Sequence, residues 1–267
     1  MRSCFNEATT MPNSLENDVI KAAKVGFDGI ELWWEKIEKY LQKHSADDLK
    51  DLLIKNKIVP VSICPLRIWP FRNSEPARKE FSRAVDVSSK IGCDLVIVCP
   101  DFQPASLTRE EAMRVHATEL KDMAKYAHNF GIRLAIEPIG MHTLVPGPMQ
   151  ALELIKLAGN PSNVGLLMDT FHYFRSQITD KEIETIPVEK LYIVHVNDSE
   201  DGPINELSDA NRLYPGLGVL PLEKYFNLLS KLKYQGFVSV EIFRPEYWNE
   251  AYDEVIEKSY SQLMKYI

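Results

Sequence analysis

Short aliphatic and β-branched runs alternate with amphipathic stretches along the whole chain. The runs predict eight strands, at Ser3–Asn6, Gly29–Trp33, Val59–Ile63, Leu95–Val98, Leu134–Glu137, Val164–Met168, Tyr192–Val196 and Val238–Ile242. Between them, helical spacing predicts helices over Leu15–Val25, Asp47–Asn56, Pro76–Ile91, Arg109–Phe130, Met149–Leu157, Leu222–Leu232 and Glu250–Ile267, with a short one near Asp180–Ile183. Regular strand–helix alternation implies parallel strands joined by right-handed crossovers. Gly26, Gly92, Gly131 and Gly236 each fall between a helical pattern and the next strand, and a left-handed residue is expected at each. No low-complexity segment or linker divides residues 1–267, so a single domain is expected.

Eight strands and eight helices fit a closed barrel or an open doubly wound sheet. The first strand is not followed by GxGxxG, the glycine pattern of dinucleotide-binding sheets. Polar residues also sit at the ends of most strands: Asn6, Glu31, Glu137, Asp169, His195 and Glu241. In an α/β barrel that C-terminal rim is where active sites are built. The expected fold class is therefore α/β, a (β/α)8 TIM barrel.

Four of those polar residues belong to four successive strands. Glu137, Asp169, His195 and Glu241 each lie at or near the C-terminal edge of an apolar run. Side chains alternate faces along a strand, so Glu241 shares a face with Ser239, and His195 shares one with Ile193 and Asn197. Taken singly, each has an ordinary explanation, as a salt-bridged strand end, a core histidine or a turn cap. Taken together, they converge on one mouth. Carboxylates with one imidazole suit one divalent ion among Mn, Zn, Mg and Co, and the set lacks the cysteines of a structural zinc site. The expectation is a metal-dependent enzyme acting on a small polyol or sugar.

Composition narrows the alternatives. The chain has 267 residues, 45% hydrophobic and 26% charged, enough to bury a large core. Its net charge of −7 argues against a nucleic-acid partner, which needs a basic face. No stretch approaches the ~20 apolar residues of a membrane span, and no signal peptide is evident. Cys4, Cys64, Cys93 and Cys99 form no CxxC pair and are expected to be reduced, in a cytoplasmic protein.

Several segments resemble one family. CFNEATT at Cys4–Thr10, GLLMDTFHYF at Gly165–Phe174, HVNDSEDGPINELSDANRLYPGLG at His195–Gly218 and VSVEIFRPEYW at Val238–Trp248 look like the xylose isomerase-like barrels of sugar isomerases and epimerases, especially their inosose (2-keto-myo-inositol) isomerase members. Residues 34–130 share only the alternating pattern. The resemblance implies metal ligation by Glu137, Asp169, His195 and Glu241. It also implies that Glu137 and Glu241 form an acid/base pair and that His172 and Arg212 contact substrate. The implied activity is isomerisation of a cyclic or linear keto-polyol through an enediolate, most specifically 2-keto-myo-inositol. A ketose or sugar-phosphate 3-epimerase, and a dehydratase of a cyclic keto acid, are reachable from the same site. An abasic-site endonuclease and a non-catalytic sugar-binding protein are the readings from other classes.

Around this core, Glu31 and Trp33 are placed with the substrate-binding residues, and Glu31, Asn6 and Glu7, which face the expected mouth, could equally orient substrate or anchor supporting hydrogen bonds. Trp34, Trp69, Phe71 and Trp248 lie in or near loops that could wall a pocket, and His142 is a further candidate contact. His44, His116 and His128 lie on helical stretches and are expected to be solvated. A homo-oligomer is compatible with the sequence.

Overall fold

The computed structural model describes residues 1–267. Strands β1 (Arg2–Asn6), β2 (Gly29–Trp33), β3 (Val59–Ile68), β4 (Leu95–Pro100), β5 (Arg133–Ile136), β6 (Val164–Asp169) and β7 (Leu191–Val196) are followed by a two-residue pair, β8 (Asp198–Ser199) and β9 (Arg212–Leu213), and by β10 (Phe237–Val240). The helices are α1 (Leu15–Val25), α2 (Trp34–Tyr40), α3 (Ala46–Asn56), α4 (Ser74–Ile91), α5 (Arg109–His128), α6 (Pro148–Leu157), α7 (Thr170–Arg175), α8 (Asp180–Glu184), α9 (Leu222–Lys231) and α10 (Tyr252–Leu263). Eight strands close a parallel barrel in the order β1-β10-β7-β6-β5-β4-β3-β2. No helix is long and apolar enough to cross a membrane.

The period of two along each strand builds the architecture. Phe5, Ile30, Leu134, Leu166, Val194 and Val238 turn outwards into one large apolar cluster shared with the helices. Their neighbours Cys4, Ala135, Leu167 and Ile193 turn inwards and fill the barrel. Each fully buried aliphatic side chain contributes roughly 1.5–3 kcal/mol. One step further along the inward rows come Asn6, Glu137, Asp169 and His195, so polar groups cap an apolar plug. Strand register levels them: Ser239 and Asp169 both pair with His195 on its two flanks.

Several boundaries differ from expectation. β3 runs on to Ile68 through a register shift between Ile63 and Leu66, because Pro65 lacks an N–H but is tolerated at an irregularity. Two short helices, α2 and α7, start directly at strand ends, where the sequence offered no multi-turn apolar stripe. Gly26, Gly92 and Gly131 have φ of 114°, 77° and 72°, as expected of left-handed positions. Gly236 does not; Lys233 takes that role with φ 58°. Gly236 is instead small by necessity, since a Cβ there would lie 2.3 Å from the Tyr234 hydroxyl.

All four cysteines are free and buried. His44 and His128 are exposed, but His116 is fully buried, against expectation. Its Nδ1 meets the Ala112 carbonyl at 3.1 Å, and its Nε2 accepts the Asp101 backbone N–H at 3.0 Å. It ties α5 to the loop after β4.

Candidate metal centre and active-site cavity

Glu137, Asp169, His195 and Glu241 come together at the C-terminal mouth of the barrel, with one ligand atom from each lying within 4.8 Å of the others. Asp169 and His195 end β6 and occupy β7. Glu137 and Glu241 sit one residue beyond β5 and β10, yet their backbone N–H groups still bond to Val98 and Val196 at 3.1 and 3.3 Å. All four are buried.

Asp169 serves two purposes. Its Oδ1 accepts the His172 N–H at 2.8 Å and caps α7, while Oδ2 faces the cluster. The ordinary explanation of a strand-end cap and the functional one are both correct, on different oxygens.

His195 is oriented from behind. Its Nε2 lies 3.0 Å from Glu31 Oε1, and Ser62 Oγ donates to Glu31 Oε2 at 2.5 Å. With the proton on Nε2, the Nδ1 lone pair points at the carboxylates, 3.1 Å from Glu241 Oε2 and 3.5 Å from Glu137 Oε1, without a well-directed hydrogen bond. An imidazole fixed by a carboxylate on its far nitrogen is the usual arrangement of a metal-binding histidine. Burial alone would lower the His195 pKa, but Glu241 and Glu31 outweigh it and hold the ring well above the ordinary imidazole range, so a second proton on Nδ1 and a metal ion are alternatives at the same lone pair. Such a concentration of carboxylates calls for positive charge. Three carboxylates and an unpartnered imidazole nitrogen fit a divalent ion.

Asn6 and Asn197 complete the support. Asn6 Nδ2 donates to Glu31 Oε1 at 3.1 Å and to Glu241 Oε1 at 3.2 Å, and Asn197 Nδ2 donates to Asp169 Oδ2 at 3.0 Å. Cys99 Sγ lies 3.3 Å from Glu137 Oε2. Burial pushes that thiol well up, and Glu137 adds to the shift, so it stays protonated.

Arg212 reaches the cluster from β9. The β8–β9 pair closes its loop because Asp198 accepts the Gly216 and Leu220 N–H groups at 3.0 and 2.8 Å. Gly218 packs where a Cβ would meet the Ser199 carbonyl at 2.1 Å. The guanidinium is buried and donates to Asp169 Oδ2 and Glu241 Oε2, both at 2.9 Å, while Asp209 holds its other edge at 2.8 Å. Burial works against the charge, but Asp169, Asp209 and Glu241 raise the Arg212 pKa further. Burial likewise opposes ionisation of Asp169, yet Arg212, His172 and His195 hold its carboxyl below the usual range. Arg212 Nη2 also meets His172 Nε2 at 3.2 Å. Since arginine only donates, that nitrogen accepts and the His172 proton sits on Nδ1.

Above the cluster opens a cavity of about 450 Å³. Glu137, Glu241, His172, Arg212 and Trp33 line it. Glu31 does not. It is fully buried beneath His195, so of its two expected roles the supporting hydrogen bond is the one present and the substrate contact is not. Trp69 is on the wall, whereas Trp34 is core and Trp248 Nε1 donates to the Ala8 carbonyl at 3.0 Å. Glu7, also expected at the mouth, is buried and accepts the Trp33 N–H at 2.7 Å. A wider groove of about 1040 Å³ runs beside α9 and shares no residue with the cluster.

Sequence reasoning missed Cys99 and Asp209. Asp209 lies three residues before Arg212 in a tight turn, a spacing that could have suggested the pair.

A family model of the xylose isomerase-like TIM barrel matches residues 19–262. The chain belongs to that family. It is 30% identical over 263 residues to an inosose isomerase of Halalkalibacterium halodurans, covering 96% of this chain and 93% of that one. It is 25% identical over 244 residues to a 3-dehydroshikimate dehydratase of Pseudomonas putida, covering 88% of this chain but only 36% of that protein. Among solved structures, an IOLI protein with a bound zinc atom superposes with a TM-score of 0.93 at 29% identity, covering 100% of this chain and 99% of that one.

Proposed function

We propose that this protein is a divalent-metal-dependent isomerase of 2-keto-myo-inositol, with Glu137, Asp169, His195 and Glu241 as the metal ligands. The observation that carries the reading is positional. Two of the four ligand-type side chains, Glu137 and Glu241, are also walls of a cavity large enough for a six-carbon polyol. The inosose isomerases at 30% identity over nearly the full length of both chains support the substrate, and the bound zinc of the IOLI protein supports the metal.

A bound divalent ion would polarise the substrate carbonyl and stabilise the negative charge that develops on its oxygen. The chain's own residues do the rest. One of Glu137 and Glu241 removes the proton from the hydroxyl-bearing carbon beside the carbonyl to give an enediolate, the hydroxyl proton passes to the former carbonyl oxygen, and the other glutamate returns a proton to the former carbonyl carbon. Positioned proton transfer of this kind contributes about 10²–10⁴-fold. His172 Nδ1–H and the Arg212 guanidinium bind substrate oxygens, and Trp33 with Phe243 closes an apolar side of the cavity.

Deuterium incorporation tests the reading. Metal-loaded protein is incubated in D₂O with 2-keto-myo-inositol and a ketose panel, beside a chelated control. Metal-dependent exchange next to the carbonyl, fastest for 2-keto-myo-inositol, is the expected result. No exchange with any ketone would overturn it.

One observation favours a second substrate class. Arg67 lies half-buried on the cavity wall beside Trp69 and forms no ion pair, whereas its neighbour Arg72 is clamped to Asp101 at 2.8 Å. A free guanidinium suits a carboxylate or phosphate. A ketose phosphate for epimerisation, or a cyclic keto acid for dehydration, would use it. Including both in the panel separates these readings.

A further inference from the structure

His142 stands in the loop between β5 and α6, and its side chain is 96% shielded from solvent, with 4% exposure. Its Nδ1 lies 3.2 Å from the backbone nitrogens of both Leu144 and Val145 and accepts from each N–H. A nitrogen that accepts two N–H groups carries no proton, so the neutral ring holds its hydrogen on Nε2. The loop behind it is tied off by Ile139 N–H to the Val145 carbonyl at 3.1 Å and His142 N–H to the Ile139 carbonyl at 2.9 Å. Phe102 packs against the ring with centroids 4.4 Å apart. Burial, helped by His116, lowers the His142 pKa to about 4, so the ring is uncharged near neutral pH.

The Nε2–H finds no acceptor anywhere in the protein. Yet His142 lines the same cavity as Glu137, His172 and Glu241. A buried donor without an acceptor is destabilising, and a held one is an efficient selector, because a ligand lacking the matching oxygen leaves it unpaired. The metal cluster does not use this nitrogen, and Arg212 and Asp209 do not reach it.

Building on the keto-polyol reading above, we propose that His142 Nε2–H donates a hydrogen bond to a substrate hydroxyl away from the reacting carbons. It thereby sets which carbon is presented to Glu137 and Glu241. The ligand class is a neutral polyol ketone with an acceptor oxygen on the β4–β5 side of the cavity. An unprotonated imidazole, rather than a cation, suits a hydroxyl.

Two variants separate this role from loop support. In His142→Asn the side-chain oxygen can still accept the Leu144 and Val145 N–H groups, but nothing reaches the Nε2 position. In His142→Gln an amide N–H extends towards that position. With metal-loaded enzyme and 2-keto-myo-inositol, His142→Asn is expected to lose on the order of 10- to 100-fold in kcat/KM, and His142→Gln to recover part of it. Across a series of singly deoxygenated inososes, one position should be penalised in the wild type and not in His142→Asn. In parallel, imidazole ¹H–¹⁵N spectra should show the Nε2–H tautomer, with that proton shifting on addition of 2-keto-myo-inositol.

Equal losses on every analogue, or a protonated Nδ1, would overturn the proposal while leaving the isomerase reading intact. A wild type that neither exchanges nor binds any inosose would overturn both.

Discussion

His195 and Glu31 are 164 residues apart, yet the imidazole Nε2 sits 3.0 Å from the carboxylate, both fully buried. Burial opposes ionisation of Glu31, but His195 and the Ser62 hydroxyl offset it and hold its carboxyl below the ordinary range. This contact fixes which nitrogen of His195 faces the carboxylate cluster. Replacing Glu31 by Gln is expected to weaken metal binding by about 10- to 100-fold, the usual effect of losing such an orienting partner. Competition against a calibrated chelator reads it directly, and unchanged affinity would remove Glu31 from the site's design.

Glu241→Gln keeps an oxygen donor for the ion but cannot carry a proton. Turnover should drop by at least ~10²-fold, with metal retained when measured by atomic emission. Near wild-type turnover would end the acid/base assignment.

Asp169→Asn should keep the α7 cap, because the remaining side-chain oxygen can still accept the His172 N–H. Asp169→Ala removes the cap, at about 0.5–2 kcal/mol, and also leaves Arg212 with one fewer carboxylate. The Asn variant also takes a carboxylate from Arg212 and turns an NH2 towards the Arg212 and Asn197 donors. It is therefore expected to bind metal poorly and to unfold earlier than wild type in urea, but later than Ala by about the 0.5–2 kcal/mol of the cap. The Ala variant should be weak in both measurements.

Beneath the mouth, Lys36 Nζ bonds Asp18 Oδ2 at 2.5 Å and the carbonyls of Glu7 and Thr10 at 3.1 and 2.9 Å, with Asp18 fully buried. Lys36→Met strands Asp18, and a loss of roughly 3–5 kcal/mol is expected. Urea midpoints at pH 7 check it, with Lys36→Met/Asp18→Asn recovering part of the loss.

The neutral His142 gives a signed pH dependence. Its pKa falls from 6.5 in the unfolded chain to about 4 in the fold, through burial and the nearby His116 and His172, with Asp101 opposing. Between those values the unfolded chain binds more protons, so stability is fully present above pH 6.5 and is lost as pH falls towards 4. In chelated protein, Tm should drop less between pH 7 and 4.5 for His142→Asn than for wild type. Parallel curves would contradict the buried neutral ring.

The candidate site was legible because strands count in twos. Once Glu137, Asp169, His195 and Glu241 were seen near equivalent strand ends, alternation alone sent them inwards. The burial of His116 was not legible: the face of α5 that carries it points at the β4 loop, and only packing reveals that. Nor was Glu31's role, since a carboxylate at a strand end reads the same whether it meets substrate or props a histidine. Local pattern therefore determined the (β/α)8 architecture and the four convergent side chains, because backbone geometry repeats every two or 3.6 residues regardless of context. Tertiary structure alone decided which nitrogen of His195 faces the carboxylates, that Arg212 bridges Asp169 and Glu241, and that His142, a residue of the cavity lining, keeps an unpaired buried N–H. Partners such as His195 and Glu31, 164 residues apart, or Arg212 and Asp169, 43 apart, are set by barrel closure and loop packing, and no local period encodes them.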